Sequence, residues 1–199
     1  MSSSDPQVAA DLRAHRPGKV IFLNGASSSG KTTLAKELQS AVQRPYLHVS
    51  LDAFLHQLPA MFLKDAAFAR DLPRLLAGFY ASSAAIARAG NDVVVDTVLQ
   101  EPSWVGPCVI AFDGLEVVFV AVRCSLEALE DRERTRGDRQ GGMARYQHDR
   151  VHSHGIYDVE VDTSEMRLDE CVSRILEYVR SGTRPSAFAR LRTTAERRG

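Results

Sequence analysis

The chain has 199 residues, 44% of them hydrophobic and 25% charged, with 25 basic and 25 acidic side chains and a formal net charge of zero. That length suits one α/β domain with a real core, and the even charge balance argues against a general nucleic-acid or membrane-surface binder. Three widely spaced cysteines (Cys108, Cys124 and Cys171), with no Cys-x-x-Cys pair, argue against a disulfide framework or zinc ribbon and make a reducing cytoplasm the default location.

Residues 1–18 are polar and Ala-rich, without the apolar middle of a secretory signal, and read as a loose lead-in. No apolar run approaches the roughly 18 residues needed to span a bilayer. Val20 to Leu23 is a continuous apolar run, expected as a parallel strand buried on both faces. Leu34, Leu38 and Val42 share one face of a helix that Pro45 stops. Tyr46 to Ser50 reads as a second strand, ending just before Asp52. From Ala53 to Ala89 the chain is helical in character, with interruptions expected near Pro59 and Pro73. Val93 to Val95 forms a third strand ending at Asp96, and Val98 to Phe112, with Pro102, Gly106 and Pro107, reads as irregular. Glu116 to Arg123 is a fourth strand and Leu126 to Thr135 a charged helix. A mobile loop is expected from Arg136 to Gly142, then a helix from Met143 to Val151. Tyr157 to Asp162 makes a fifth strand, and Leu168 to Arg180 a helix with an apolar inner face. Residues 182–199 carry five arginines and few apolar anchors, so they read as a partly ordered basic tail beside a single domain over 19–181. Strands alternating with helices predict an α/β fold: a parallel sheet with helices on both faces and ligands at the carboxyl ends of the strands.

The strongest local signal is Gly25-Ala26-Ser27-Ser28-Ser29-Gly30-Lys31-Thr32, which follows the first strand and opens the first helix. Gly-x-x-x-x-Gly-Lys-Thr in that context is a phosphate loop. Its backbone amides, with those of Thr33 and the helix start, cradle phosphate oxygens, and the helix dipole adds positive potential. Lys31 is a mobile charge able to reach the outer phosphates, and the Thr32 hydroxyl is placed to ligate Mg²⁺. The implied cofactors are a nucleoside triphosphate and Mg²⁺.

Phosphoryl transfer also needs a carboxylate near the metal, a group for the acceptor hydroxyl and cations for the transition state. Asp96, at a strand end, suits a metal-side carboxylate acting through water, or a capping residue at the strand exit. Asp52 suits either the acceptor hydroxyl or the N-cap of the helix starting at Ala53. Phe54, in a Phe- and Met-rich segment, and Gln100, past the third strand, are further candidates for acceptor contacts. That segment reads as core; as an acceptor cavity, it would favour a small aromatic or amphipathic hydroxyl compound. Arg136 and Arg139 flank Gly137 and could close on the phosphates, Arg136 with a catalytic part. Arg132, one turn earlier, could stack on the base or meet the phosphates, and position alone does not rank the three. His148, His152 and His154 lack a second carboxylate or a cysteine cluster and read as surface or substrate-edge histidines rather than a zinc site.

Several segments resemble, in order, the chloramphenicol phosphotransferase-like family, small P-loop kinases of the nucleoside-monophosphate-kinase type. They are residues 23–31, Val49-Ser50-Leu51-Asp52, residues 87–90 with Val93-Val94-Val95-Asp96, Val122-Arg123-Cys124, Arg136-Gly137-Asp138-Arg139 with Gly141 and Met143, and Val151-His152 through Tyr157-Asp158-Val159-Glu160-Val161-Asp162-Thr163. Pro59 to Arg74 and Thr97 lie outside the matching pattern. The resemblance implies a three-layer P-loop fold with a five-stranded parallel sheet of order 2-3-1-4-5 and an Arg-bearing lid. It implies an ATP- or GTP-dependent O-phosphotransferase that inactivates an antibiotic, chloramphenicol-like or a nucleoside, with Asp52 accepting the proton of the acceptor hydroxyl. The expected partner is thus a small molecule, with neither nucleic acid nor membrane, and a homo-oligomer stays open. A metabolite or nucleotide kinase of the shikimate, gluconate or adenylylsulfate type, and a non-catalytic nucleotide-binding regulator, are the alternatives.

Overall fold

All five expected strands form and pair in parallel, in the spatial order second, third, first, fourth, fifth. The computed structural model describes residues 16–63, 66–136 and 142–196. In chain order the elements are β1 (Val20–Asn24), α1 (Lys31–Ala41), β2 (Tyr46–Ser50), α2 (Leu51–Leu55), α3 (Ala60–Leu63), α4 (Ala66–Arg88) and β3 (Asp92–Thr97). Then follow α5 (Pro102–Ala111), β4 (Val117–Arg123), α6 (Leu126–Arg136), α7 (Met143–His148), β5 (Val159–Asp162), α8 (Leu168–Arg180) and α9 (Ala187–Glu196).

The period of two along each strand divides the core into two layers. Val20, Phe22, Val93, Val95, Val117 and Phe119 face one way, against α4, α5 and α9. Ile21, Leu23, Val94, Val118, Val120 and Val122 face the other way, against α1 and α8. The central strands β1, β3 and β4, covered on both faces, carry only apolar side chains in mid-strand. The buried polar residues Asn24, Asp96 and Thr97 therefore sit where strands end, on the rim where the phosphate loop lies.

Three expectations are corrected. Pro73 does not interrupt α4, which runs for 23 residues through it. An interior proline costs about 3 kcal/mol. Beyond Pro73, Leu76, Phe79, Tyr80, Ala84 and Ala87 are buried, and each large side chain among them contributes about 1.5–3 kcal/mol, which outweighs the proline. Residues 102–111, expected to be irregular, form α5: Pro102 stands in the first turn, where its missing N–H costs nothing, and Val105, Cys108 and Val109 are buried. The segment after Gly182, expected as a tail with few apolar anchors, supplies α9. Ala187, Phe188 and Leu191 are buried there, and the Phe188 ring lies 5.1 Å from Phe22, 5.9 Å from Phe112 and 5.0 Å from Phe119. Asp158 fastens this helix: Oδ1 accepts from Ser186 N and Ala187 N, and Oδ2 accepts from Phe119 N. Three apolar residues over a charged surface were too sparse to show as a periodic pattern, yet they suffice because they land on an aromatic floor.

Candidate active site

β1 delivers the chain to the rim, and its last residue fixes the exit. Asn24 is fully buried; its Nδ2 donates to Val151 O at 2.9 Å and Tyr157 OH at 2.8 Å, and its Oδ1 accepts from Leu99 N at 2.8 Å. Gly25 follows, and a Cβ there would lie 2.4 Å from Val122 O of β4. This glycine is therefore required by the neighbouring strand, beyond any need of a phosphate. Ser28 holds φ 63° and Gly30 φ 88°. Left-handed residues alternating with right-handed ones turn successive N–H groups toward one concavity, an anion nest. Helix α1 begins at once, with no side-chain cap and no acidic residue in its first turn, so its leading amides and dipole serve the same concavity.

Lys31 is buried, and its Nζ donates to Ala26 O at 2.8 Å, which holds the ammonium inside the loop. Thr32 Oγ1 donates to Asp96 Oδ2 at 2.8 Å. His48 Nε2 lies 3.5 Å from the same oxygen, without hydrogen-bond geometry. Burial pushes the Asp96 carboxyl up, but His48, Lys31 and Thr32 outweigh it and hold the group below the ordinary carboxylate range. An ionised carboxylate beside a hydroxyl is a pair of hard oxygen donors, fitting Mg²⁺, which takes few protein ligands and draws the rest from phosphate and water.

A cavity of about 630 Å³ runs across this rim, lined by the loop residues Ser27, Ser28 and Gly30 to Thr33. The strand order decides what stands on each side. β3 and β2 lie to one side of β1, so Leu51, Asp52, Asp96, Thr97 and Val98 form that wall. β4 and β5 lie to the other, so Arg132, Thr163, Met166 and Leu168 form the opposite wall. Asp52 is exposed and stands in the first turn of α2, whose N-cap is Ser50, with its side chain accepting from Ala53 N. The capping reading of Asp52 thus belongs to Ser50 instead.

Arg132 is held against the loop by several contacts. Its Nη2 donates to Thr163 O at 2.8 Å, and its Nη1 reaches Thr163 Oγ1 at 3.0 Å and Ser28 O at 3.4 Å. Thr163 Oγ1 in turn donates to Ser29 O at 2.8 Å. The Arg136 side chain and all of Arg139 fall outside the described residues. Two acceptor candidates do not line the cavity. Phe54 packs inward on Phe79, with ring centroids 5.6 Å apart, while Met61 and Phe62 of the same segment are exposed. Gln100 Oε1 accepts from Gln147 Nε2 at 2.7 Å.

The histidines are not surface groups throughout. His152 Nδ1 lies 2.6 Å from Tyr157 OH, and His154 stacks on Phe119 at 5.2 Å. Burial, with Arg123 adding to it, pushes the His152 ring down to about 3 and the His154 ring down to about 4. Both rings are neutral at pH 7. Residue-by-residue reading also missed Thr163, His48 and Gln147. His48 was open to detection through register: it pairs with Val94, so it shares a face with Asp96 on the adjacent strand. Thr163 was the last residue of the Tyr157–Thr163 motif. Gln147 carried no local signal.

A phosphate loop between β1 and α1, a carboxylate at the end of β3 and this sheet order define the chain as a phosphotransferase of the P-loop kinase fold. It belongs to the chloramphenicol phosphotransferase-like family, whose model matches residues 18–180. It is 30% identical over 198 residues to the "Putative O-phosphotransferase Rv2636" of Mycobacterium tuberculosis, covering 88% of each chain. Among solved structures it is similar to the Mycobacterium tuberculosis APS kinase CysC in complex with AMPPNP and APS, with TM-score 0.66 and 16% identity over 82% of this chain and 98% of that one. The Deinococcus radiodurans tunicamycin resistance protein is similar in fold, with TM-score 0.64 and 15% identity over 84% and 98% of the two chains. Helix α9 lies beyond the stretch that the family model matches.

Proposed function

We propose that this chain transfers the γ-phosphoryl group of ATP or GTP to a hydroxyl of a small antibiotic, chloramphenicol-like or a nucleoside, and so inactivates it. The observation that carries the reading is the placement of Asp52 on the wall of the cavity that also holds Lys31, Thr32 and Asp96. Donor and acceptor groups then share one space, as in-line transfer requires. The nucleotide lies with its phosphates on Ser28–Thr32 and its nucleoside toward Arg132 and Met166. The acceptor lies toward Leu51 and Val98, with its hydroxyl against Asp52.

In this reading Asp52 accepts the acceptor's proton as the oxygen attacks. Lys31 turns from Ala26 O to the outer phosphates and offsets their charge. Mg²⁺, when bound, would be held by Thr32 and, through water, by Asp96, and it would neutralise charge on the phosphates. Arg136, the last residue of α6, and Arg139, three positions later in the sequence, are assigned to the transferring group. Leu51 and Val98 make the acceptor wall partly apolar, which suits an amphipathic hydroxyl compound.

The test is a mass-spectrometric screen for gain of one phosphoryl group across hydroxyl compounds that include chloramphenicol, nucleoside antibiotics, gluconate and shikimate, with ATP or GTP and Mg²⁺. Transfer to an antibiotic supports the reading, and transfer to a metabolite alone sinks its antibiotic part. Asp52→Asn is expected to lower kcat by roughly 10²–10⁴ while nucleotide affinity stays nearly constant. Normal turnover in that variant removes Asp52 from the mechanism.

A further inference from the structure

We infer that Gln147, on α7, is a positioning residue for the phosphate loop, holding its leading edge and joining it to the segment that leaves β3. The residue is 7% exposed. Its Oε1 accepts from Ser27 N at 2.6 Å, and its Nε2 donates to Gln100 Oε1 at 2.7 Å. The Ser27 N–H fixes which end of the amide faces the loop, because only the oxygen can accept from it. A neutral amide meets both demands, whereas a carboxylate would set a negative charge beside the triphosphate and an apolar side chain would strand a buried N–H.

The position of this contact gives it a function. Ser27 immediately precedes Ser28, whose φ of 63° is a conformation that a side chain other than glycine holds only when its surroundings impose it. Gln147 imposes it from one side, and Thr163 and Arg132 from the other, through Ser29 O and Ser28 O. Helix α7 is itself anchored, since the Glu133 carboxylate of α6 accepts from Gly142 N at 2.9 Å and Ala144 N at 3.1 Å. With the Ser27 amide occupied, the phosphate cradle begins at Ser28. The loop is thus shaped before a nucleotide arrives, so binding carries less ordering cost.

This inference rests on the reading of the loop as a nucleoside-triphosphate site, and the experiment separates the two. Calorimetric affinities of the full chain are measured for non-hydrolysable ATP and GTP analogues and for AMP and GMP, in wild type, Gln147→Leu and Gln100→Leu. Gln147→Leu is expected to weaken the preferred triphosphate analogue about tenfold, the scale of one buried hydrogen bond lost from the site, and the monophosphate less than about threefold. Gln100→Leu, which leaves the Ser27 bond in place but unsupported, is expected to weaken the triphosphate analogue by about threefold. A folded Gln147→Leu with wild-type triphosphate affinity overturns the inference, as does equal weakening of both ligand types, which marks mere support of the fold. If circular dichroism finds Gln147→Leu unfolded, Gln100→Leu decides, and unchanged triphosphate affinity there overturns the inference. Wild-type protein that binds neither analogue removes the nucleotide reading and this inference with it, whereas wild-type binding preserved in Gln147→Leu removes the inference alone.

Discussion

Thr32 Oγ1 and Asp96 Oδ2 meet at 2.8 Å, joining the first turn of α1 to the end of β3. This contact brings together two residues 64 positions apart in sequence and makes one oxygen cluster of them. Asp96→Asn keeps the size of the side chain and removes its charge. The half-saturating Mg²⁺ concentration of phosphoryl transfer is expected to rise about 10–100-fold, the scale seen when an outer-shell carboxylate is lost. A Mg²⁺ titration of both proteins checks it, and identical curves would take Asp96 away from the metal. Because Asp96 is held below its unfolded value, its ionised contribution is complete above about pH 4 and is lost only as pH falls through the folded value.

Gly25→Ala is expected to destabilise the fold by about 1–3 kcal/mol, because the new Cβ would meet Val122 O at 2.4 Å and must push β1 from β4. Urea denaturation measures the loss, and nucleotide affinity should fall with it. A variant of unchanged stability would mean that the strands can part at no cost.

Stability should decline in mild acid. His152 and His154 have folded values near 3 and 4, below the ordinary histidine value near 6.5, so the unfolded chain binds more protons between those limits. Stability is then full above pH 6.5 and decreases as pH falls toward 4. His152→Gln should cost about 1 kcal/mol at pH 7, through the lost contact with Tyr157, yet lose less than wild type between pH 7 and 5. Tm measured across that range distinguishes the two slopes, and parallel slopes would exclude His152 as a source.

Phe188→Ala is expected to cost about 3–5 kcal/mol, since the ring is buried against Phe22, Phe112 and Phe119. Denaturant unfolding of this variant tests whether α9 belongs to the core. A loss under about 0.5 kcal/mol would return residues 187–196 to the status of an appendage.

What the sequence determined by itself was local. Gly25 to Thr32 announced a phosphate loop because tight turns and a helix start need specific residues at fixed spacing. Val93-Val94-Val95-Asp96 announced a buried strand with a carboxylate at its end, and order 2-3-1-4-5 came with the family resemblance. Prolines misled twice in the same direction: Pro73 is carried by the buried face beyond it, and Pro102 starts a helix instead of preventing one. Only the tertiary structure could decide that Gln147 holds Ser27, that Thr163 and Arg132 close the far wall and that Phe188 caps an aromatic floor. Those partners lie 31 to 166 residues apart, and their hydrogen bonds and ring contacts depend on how strands order and helices pack, which no local pattern of residue types encodes.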